Sequence, residues 1–333
     1  MRAVVCRKFG HYRDMVIQTE TDPSPGPNEV VIRVHATAVS FANILQIAGK
    51  HQSKATPPFT PGAEVSGVIM SVGSEVTALA PGDRVVAAVS NGGHAEMAAA
   101  RADLTFVMPD RMSHAEGTVF PSIQATAYTG IAIEGRLEAG ETLLVHGAAG
   151  ASGLAAVQIG RALGATVIAC ASTEAKRAAT LKAGADHALP SDAFRDQVLA
   201  LTGGRGADVV FDPVGGAVFQ QSLRCIAPEG RLLVIGFASG DIPQVPANIA
   251  LVKNIAVIGV YWGYYMGWAK LAPSLRARRR VDECFAALFK MYKDGKIQPQ
   301  VHGTFPMEQF ADALAIVEER RAVGKVVLLP LCC

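Results

Sequence analysis

The stretch Thr142-Leu143-Leu144-Val145-His146-Gly147-Ala148-Ala149-Gly150-Ala151-Ser152-Gly153 constrains the fold more than any other part of the chain. An apolar strand over 142–146 enters a glycine-spaced turn, a small-residue helix follows over 154–163, and a second apolar strand at 166–171 completes one βαβ unit. Gly147 permits the tight turn, Gly150 lets the backbone approach a pyrophosphate, and Gly153 allows close helix packing. Ala149, Ala151 and Ser152 complete a loop whose N–H groups can hold that anion at a helix start. A non-binding αβ corner that needs glycine only for packing has the same spacing. The two flanking strands favour the dinucleotide reading.

The tip of the second strand bears on which dinucleotide. A site for NAD usually places Asp or Glu there, about 20 residues past the glycines, to bind both ribose hydroxyls. This chain has Cys170-Ala171-Ser172-Thr173, followed by Lys176 and Arg177. Small hydroxyl residues and nearby cations leave room for a 2′-phosphate and can pair with its charge, so NADPH is expected, with Ser172 and Lys176 as contacts. The competing reading makes Lys176 and Arg177 the solvated face of a helix over 174–183.

At 333 residues the chain exceeds what one hydrophobic core covers, which implies about two domains. Half the residues are hydrophobic, and the formal charge of +2 gives no sign of nucleic-acid or membrane attraction. The first twenty residues carry Arg2, Arg7, Lys8, Arg13 and Asp14 without an apolar run, and the longest apolar stretches are broken by His146, Lys253 and glycines. A soluble, cytoplasmic protein is expected. Cys6, Cys170, Cys225, Cys284 and the pair Cys332-Cys333 lack metal-ligand or disulfide-framework spacing and read as reduced, mostly buried thiols, with oxidation of the adjacent terminal pair as the alternative there.

Residues 1 to about 110 alternate short β-type runs (30–36, 65–72, 83–87) with Pro/Gly punctuation, as in an antiparallel, barrel-like β domain. From Phe120 the pattern changes to apolar strands at 142–146, 166–171, 208–212, 231–237 and 255–260, separated by Ala-rich helices; this is a doubly wound parallel sheet. Helices over 281–294 and 307–320 and a strand at 324–329 follow. Because a six-stranded Rossmann sheet is nearly complete by Val260, the tail is expected to return to the first domain. The division is then 1–119 with 261–333, and 120–260.

Several motifs in order resemble one family: Pro61-Gly62-Ala63-Glu64-Val65-Ser66-Gly67, Pro81-Gly82-Asp83-Arg84-Val85, Gly92-Gly93-His94-Ala95-Glu96, the glycine turn, the run Gly206-Ala207-Asp208 to Asp212-Pro213-Val214-Gly215-Gly216, and the run Gly230-Arg231 to Ser239-Gly240. Over nearly its whole length the chain resembles the medium-chain dehydrogenases, specifically their zinc-free quinone oxidoreductase branch, which includes zeta-crystallin-type NADPH:quinone reductases. The resemblance implies an α/β protein with a chaperonin-10-like antiparallel β-barrel catalytic domain and a Rossmann domain. Where zinc-dependent relatives carry Cys and His ligands, this chain has Ser40 and Ala63, and the four cysteines of a structural-zinc lobe are absent. No metal is expected. A hydride must then pass to an acceptor that is already electrophilic, a quinone or the β-carbon of an α,β-unsaturated carbonyl.

By resemblance, the segment 40–51 lines the substrate side of the cleft. Relatives often have an acid or amide at the position of Asn43 and a tyrosine at that of His51. Asn43 is a candidate to orient a carbonyl or to cap the loop, and His51 is a candidate to stabilise developing oxygen charge, to donate a proton, or to be a surface residue of the loop 49–58. Thr126 is placed near the nicotinamide, and Tyr128 packs near the domain junction. Gly236, Phe237, Ala238 and Ser239 close over the nicotinamide ribose, Tyr261 and Trp262 flank the ring, and Lys325 reaches a phosphate. Trp262 reads equally as core. Ser191 stands where relatives use Tyr or His near the adenosine. The run Arg276, Arg278, Arg279, Arg280 reads as a solvated helix entrance, or as a clamp for an acidic substrate such as a coenzyme A ester.

The implied function is zinc-independent reduction of a quinone by NADPH, with enone or enoyl-thioester reduction as the alternative and a non-catalytic NADPH-binding structural role as a third reading. The apolar strand at 255–260 would close the sheet at an edge and invite a homodimer across it.

Overall fold

The computed structural model describes residues 1–51 and 55–331. The terminal pair Cys332-Cys333 lies outside the described residues. The chain forms two compact units, one from residues 1–122, 263–285 and 299–333, the other from 123–262 and 286–298.

The first unit is organised around one long strand, Glu29–Val39, whose buried faces alternate along Val30, Ile32 and Val34. It pairs antiparallel with Glu64–Val72, Met97–Arg101 and Lys325–Leu329. The sheet continues from Glu64–Val72 to Arg84–Ala88 and Thr105–Val107, and on its other side Val301–Pro306 lies parallel to Lys325–Leu329. Two bulges interrupt the pairing of Glu29–Val39 with Glu64–Val72, bending the sheet as barrel closure requires. Gly67 sits at their closest approach, where a Cβ would come within 1.9 Å of Arg33 O. The last strand therefore belongs to the β unit, and helix Phe310–Glu318 packs with it over a core that includes Val4, Val39, Met307 and Leu328.

The second unit is a six-stranded parallel sheet among the described residues. Thr142–Val145 is flanked by Thr166–Ala171 and then His187–Pro190 on one side, and by Ala207–Asp212, Ile226–Val234 and Ala256–Gly259 on the other. That order reverses direction beside the first strand, where doubly wound sheets open a crevice at their C-terminal ends. Strands buried on both faces explain the near-continuous apolar runs. Helix Ala151–Ala162 is fixed against the segment 286–298 by two bonds: Gln158 Nε2 donates to Gln298 O (2.8 Å) and Gln298 N to Gln158 Oε1 (2.9 Å).

The structure departs from the sequence reading at several elements. The glycine-turn helix begins at Ala151 rather than 154, the helix expected at 281 begins at Leu275, and His187–Pro190 and Val301–Pro306 are strands that the apolar pattern does not announce. Cys6, Cys170, Cys225 and Cys284 are buried and form no disulfide among the described residues. Burial pushes the Cys225 thiol up to about 11 and the Cys170 thiol higher still. No described helix is long and apolar enough to cross a membrane.

Candidate active site

In the second unit the residues of interest gather at the C-terminal ends of the strands. Gly147 has φ +57°, a conformation that favours glycine, and Gly150 N donates to Gly147 O at 2.9 Å to close the turn. At Gly153 a Cβ would stand 2.3 Å from Gly147 O and 2.5 Å from Ala148 Cα, so only glycine lets the helix start this close to the turn. Gly150 caps the helix with no side-chain bond, and the first i→i−4 bond is Leu154 N to Gly150 O (2.9 Å). The amides of Ala151, Ser152 and Gly153 precede that bond and point out of the helix end, which is the arrangement a phosphate needs. His146 adds no charge: fully buried, it shares a 2.8 Å hydrogen bond with Ser222 Oγ, and burial takes it down to about 3. The field at the corner is that of backbone dipoles.

Beside the corner, Ala171 ends its strand buried, in register with Pro190, so Ser172 and Ser191 follow one another's tips across the sheet. Thr173 Oγ1 accepts from Lys176 N at 3.3 Å and starts helix Glu174–Lys182. The two cations differ in aim: Arg177 Nη1 turns back toward Ala171 O (3.4 Å), whereas Lys176 stands one residue nearer the cap.

Asp212, which sequence reasoning did not single out, organises the opposite side. Its buried Oδ1 accepts from Val214 N (2.8 Å) and Gly215 N (3.0 Å), and burial raises its carboxyl above the usual range. The loop it shapes meets the loop of Gly236 to Ser239: Ala238 N donates to Pro213 O (3.0 Å) and Ser239 N to Val214 O (2.9 Å). Gly215, φ +74°, allows this closure, because a Cβ there would lie 2.9 Å from Asp241 O. Phe237 and Tyr261 are exposed, Trp262 is buried, and Thr126 is half-buried on helix Ala125–Tyr128.

Three candidates lie in the first unit. Asn43 is buried, and its Oδ1 accepts from Ser40 N (2.8 Å) and Ser40 Oγ (3.1 Å), so it caps helix Phe41–Ile47; its Nδ2 reaches Gln46 Oε1 only at 3.5 Å. His51 is half-buried and follows that helix, its N–H donating to Leu45 O at 3.1 Å. Lys325 Nζ donates to Glu64 Oε2 at 2.8 Å with both side chains out of water, so a phosphate contact would have to break a buried pair. The run at 276–280 opens helix Leu275–Lys293; Arg278 Nη1 pairs with Asp103 Oδ2 at 2.9 Å.

Two family profiles match the chain: "Alcohol dehydrogenase GroES-like domain" over residues 26–119 and "Zinc-binding dehydrogenase" over residues 151–277. The chain is 37% identical to the quinone oxidoreductase-like protein 2 homolog of Nematostella vectensis, over 98% of its own length and 88% of the relative's. Among solved structures, a mycobacterial protein complexed with NADPH has a TM-score of 0.89 at 30% identity, covering 99% of this chain and 100% of that one. The quinone oxidoreductase of Escherichia coli complexed with NADPH scores 0.87 at 26% identity, covering 99% and 100%. With both family profiles and near-complete relatives converging on the fold described above, the chain belongs to the medium-chain dehydrogenase/reductase family, in its quinone oxidoreductase-like group.

Proposed function

We propose that the protein is an NADPH-dependent, zinc-independent reductase that delivers a hydride to a quinone or a related electrophilic carbonyl compound. The observation that carries this reading is the glycine corner at 147–153, a helix start with no side-chain cap, packed so close to the turn that a Cβ at Gly153 would clash with Gly147 O and Ala148. Similar proteins solved with NADPH support the nucleotide. The absence of an acid at Ala171, with Ser172 and Lys176 beyond it, supports the phosphorylated form.

When bound, NADPH supplies the hydride. The chain's own residues supply the rest: the corner amides hold the pyrophosphate, Ser172, Lys176 and Ser191 meet the adenosine end, and Thr126, the loop of Gly236 to Ser239, Tyr261 and Trp262 surround the nicotinamide end. Asn43 Nδ2, whose bond among the described residues is a long 3.5 Å to Gln46 Oε1, and His51 are the proposed donors to an oxygen gaining charge. Zinc independence is supported by Ser40 and Ala63 and by the donor set, since among the described residues no three His, Cys, Asp or Glu side chains come together as a metal group. The four buried cysteines among the described residues form no disulfide, in keeping with the reducing cytoplasm as its compartment. The edge strand Ala256–Gly259 supports a homodimer.

The test is NADPH oxidation against quinones, enones and enoyl thioesters, repeated after chelation. Quinones should turn over fastest, and chelation should change nothing. Asn43→Ala and His51→Ala should each lower the rate about 100-fold with NADPH affinity nearly unchanged. Enoyl thioesters outrunning quinones would move the assignment to enoyl reduction. Binding of NADPH with no turnover of any acceptor would leave a nucleotide-binding protein.

A further inference from the structure

His146 and Ser222 meet in the interior of the second unit, 1% and 0% exposed, with the ring of Phe194 edge-on to the imidazole at 4.6 Å. Ser222 Oγ donates to Val218 O at 2.8 Å, so the 2.8 Å bond with His146 runs from Nε2–H to a lone pair of the hydroxyl. The chain of bonds has one direction, from imidazole to hydroxyl to a carbonyl in the first turn of helix Gly216–Cys225. Two polar groups buried where apolar ones would pack cost stability, but a satisfied hydrogen bond fixes a geometry that packing alone leaves loose.

The geometry fixed here is that of the glycine corner. His146 immediately precedes Gly147, and its own N–H donates to Phe211 O at 3.0 Å. Its backbone is therefore tied to strand Ala207–Asp212 and its side chain to helix Gly216–Cys225, the two elements that the loop 213–215 joins. That loop lies against the corner: a Cβ on Gly147 would stand 3.5 Å from Pro213 Cγ and 3.6 Å from Val214 Cγ2. On its other side, Pro213 O and Val214 O accept from Ala238 N and Ser239 N. Pro213 and Val214 thus space the corner from the loop of Gly236 to Ser239, and His146 with Ser222 clamps both ends of the spacer.

Resting on the nucleotide reading above, we infer that His146 and Ser222 are positioning residues that set the distance between the pyrophosphate corner and the nicotinamide-side loop. Neither touches the dinucleotide. A ligand that spans both places binds more tightly when their spacing is fixed in advance, whereas one that reaches only the corner is indifferent to it.

The full-length protein would be titrated with NADPH, which spans both, and with adenosine 2′,5′-bisphosphate, which extends no further than the corner. Ser222→Ala and His146→Leu should each weaken NADPH binding about three- to tenfold, the worth of one neutral hydrogen bond, with bisphosphate affinity unchanged. Combining the two leaves neither partner unpaired, so the double variant should regain much of any stability lost by the single ones in a urea titration while NADPH binding stays weak. A ratio of NADPH to bisphosphate affinity that keeps its wild-type value in the folded single variants, or returns to it in the double variant, overturns the inference and leaves the nucleotide reading standing. Failure of the wild type to bind NADPH and the bisphosphate alike would overturn both.

Discussion

Lys325 and Glu64, 261 positions apart in the chain, form a 2.8 Å ion pair in the β unit with side chains only 3% and 4% exposed. They lie on strands that flank Glu29–Val39 on either side, so the pair ties the C-terminal strand to the sheet's middle. Breaking such a pair leaves one charge buried and alone, which costs about 3–5 kcal/mol. Lys325→Met should lower unfolding free energy by that amount in a urea titration, and combining it with Glu64→Leu should recover most of the loss. A single variant within 1 kcal/mol of wild type, taken as about the noise for an exposed pair, would contradict this.

Cofactor choice follows from Ala171 and its neighbours. NADPH should bind at least about tenfold more tightly than NADH, a difference of about 1.4 kcal/mol. Ala171→Asp should reverse the order, because a carboxylate there repels a 2′-phosphate and accepts from free hydroxyls. Equal affinities for the two nucleotides in the wild type would refute the assignment.

Acid should weaken the fold through its histidines. Burial takes His94 and His114 down to about 4 and His146 to about 3, against 6.5 for the free side chain. Between pH 6.5 and about 4 the unfolded chain binds protons at these positions that the native protein refuses. Stability is therefore full above 6.5 and falls as the pH drops, by up to about 1.4 kcal/mol per pH unit for each group. Unfolding free energies measured from pH 7 to 5 should slope accordingly; a flat profile would show that these rings are hydrated in solution.

The proposed dimer has a surface to match. Ala256–Gly259 is an unpaired edge of the parallel sheet, and the helix before it, Ala247–Lys253, leaves Leu251 and Val252 77% and 82% exposed. Edge and apolar face together invite a second copy. Light scattering should give twice the chain mass at micromolar concentration, and Leu251→Asp with Val252→Asp should give monomers. A monomeric wild type would rule the assembly out.

The glycine corner was legible because its constraint is local: Gly147 and Gly153 are needed by a turn and a contact that involve only their near neighbours. The central strands were legible because burial on both faces demands unbroken apolar runs. His187–Pro190 was not, since an edge strand buries little beyond Leu189, and the start of helix Leu275–Lys293 was hidden by arginines that carry no apolar period. The site residues divided the same way. Asn43 offered two readings, and the cap is visible only once Ser40 is placed beside it; the partner of Lys325 is separated by most of the chain. Asp212 stood inside a motif that carried the family resemblance, yet its two amide bonds depend on a loop conformation that no spacing reveals.

Quinones and enones are conjugate acceptors for thiolates as well as for hydride, so a protein that reduced them would risk covalent modification by its own substrate. The four cysteines among the described residues are buried, and burial holds Cys6, Cys170 and Cys225 in the protonated, unreactive form. If the acceptors are those proposed, the interior that builds the two cores would also shield the protein's thiols from them.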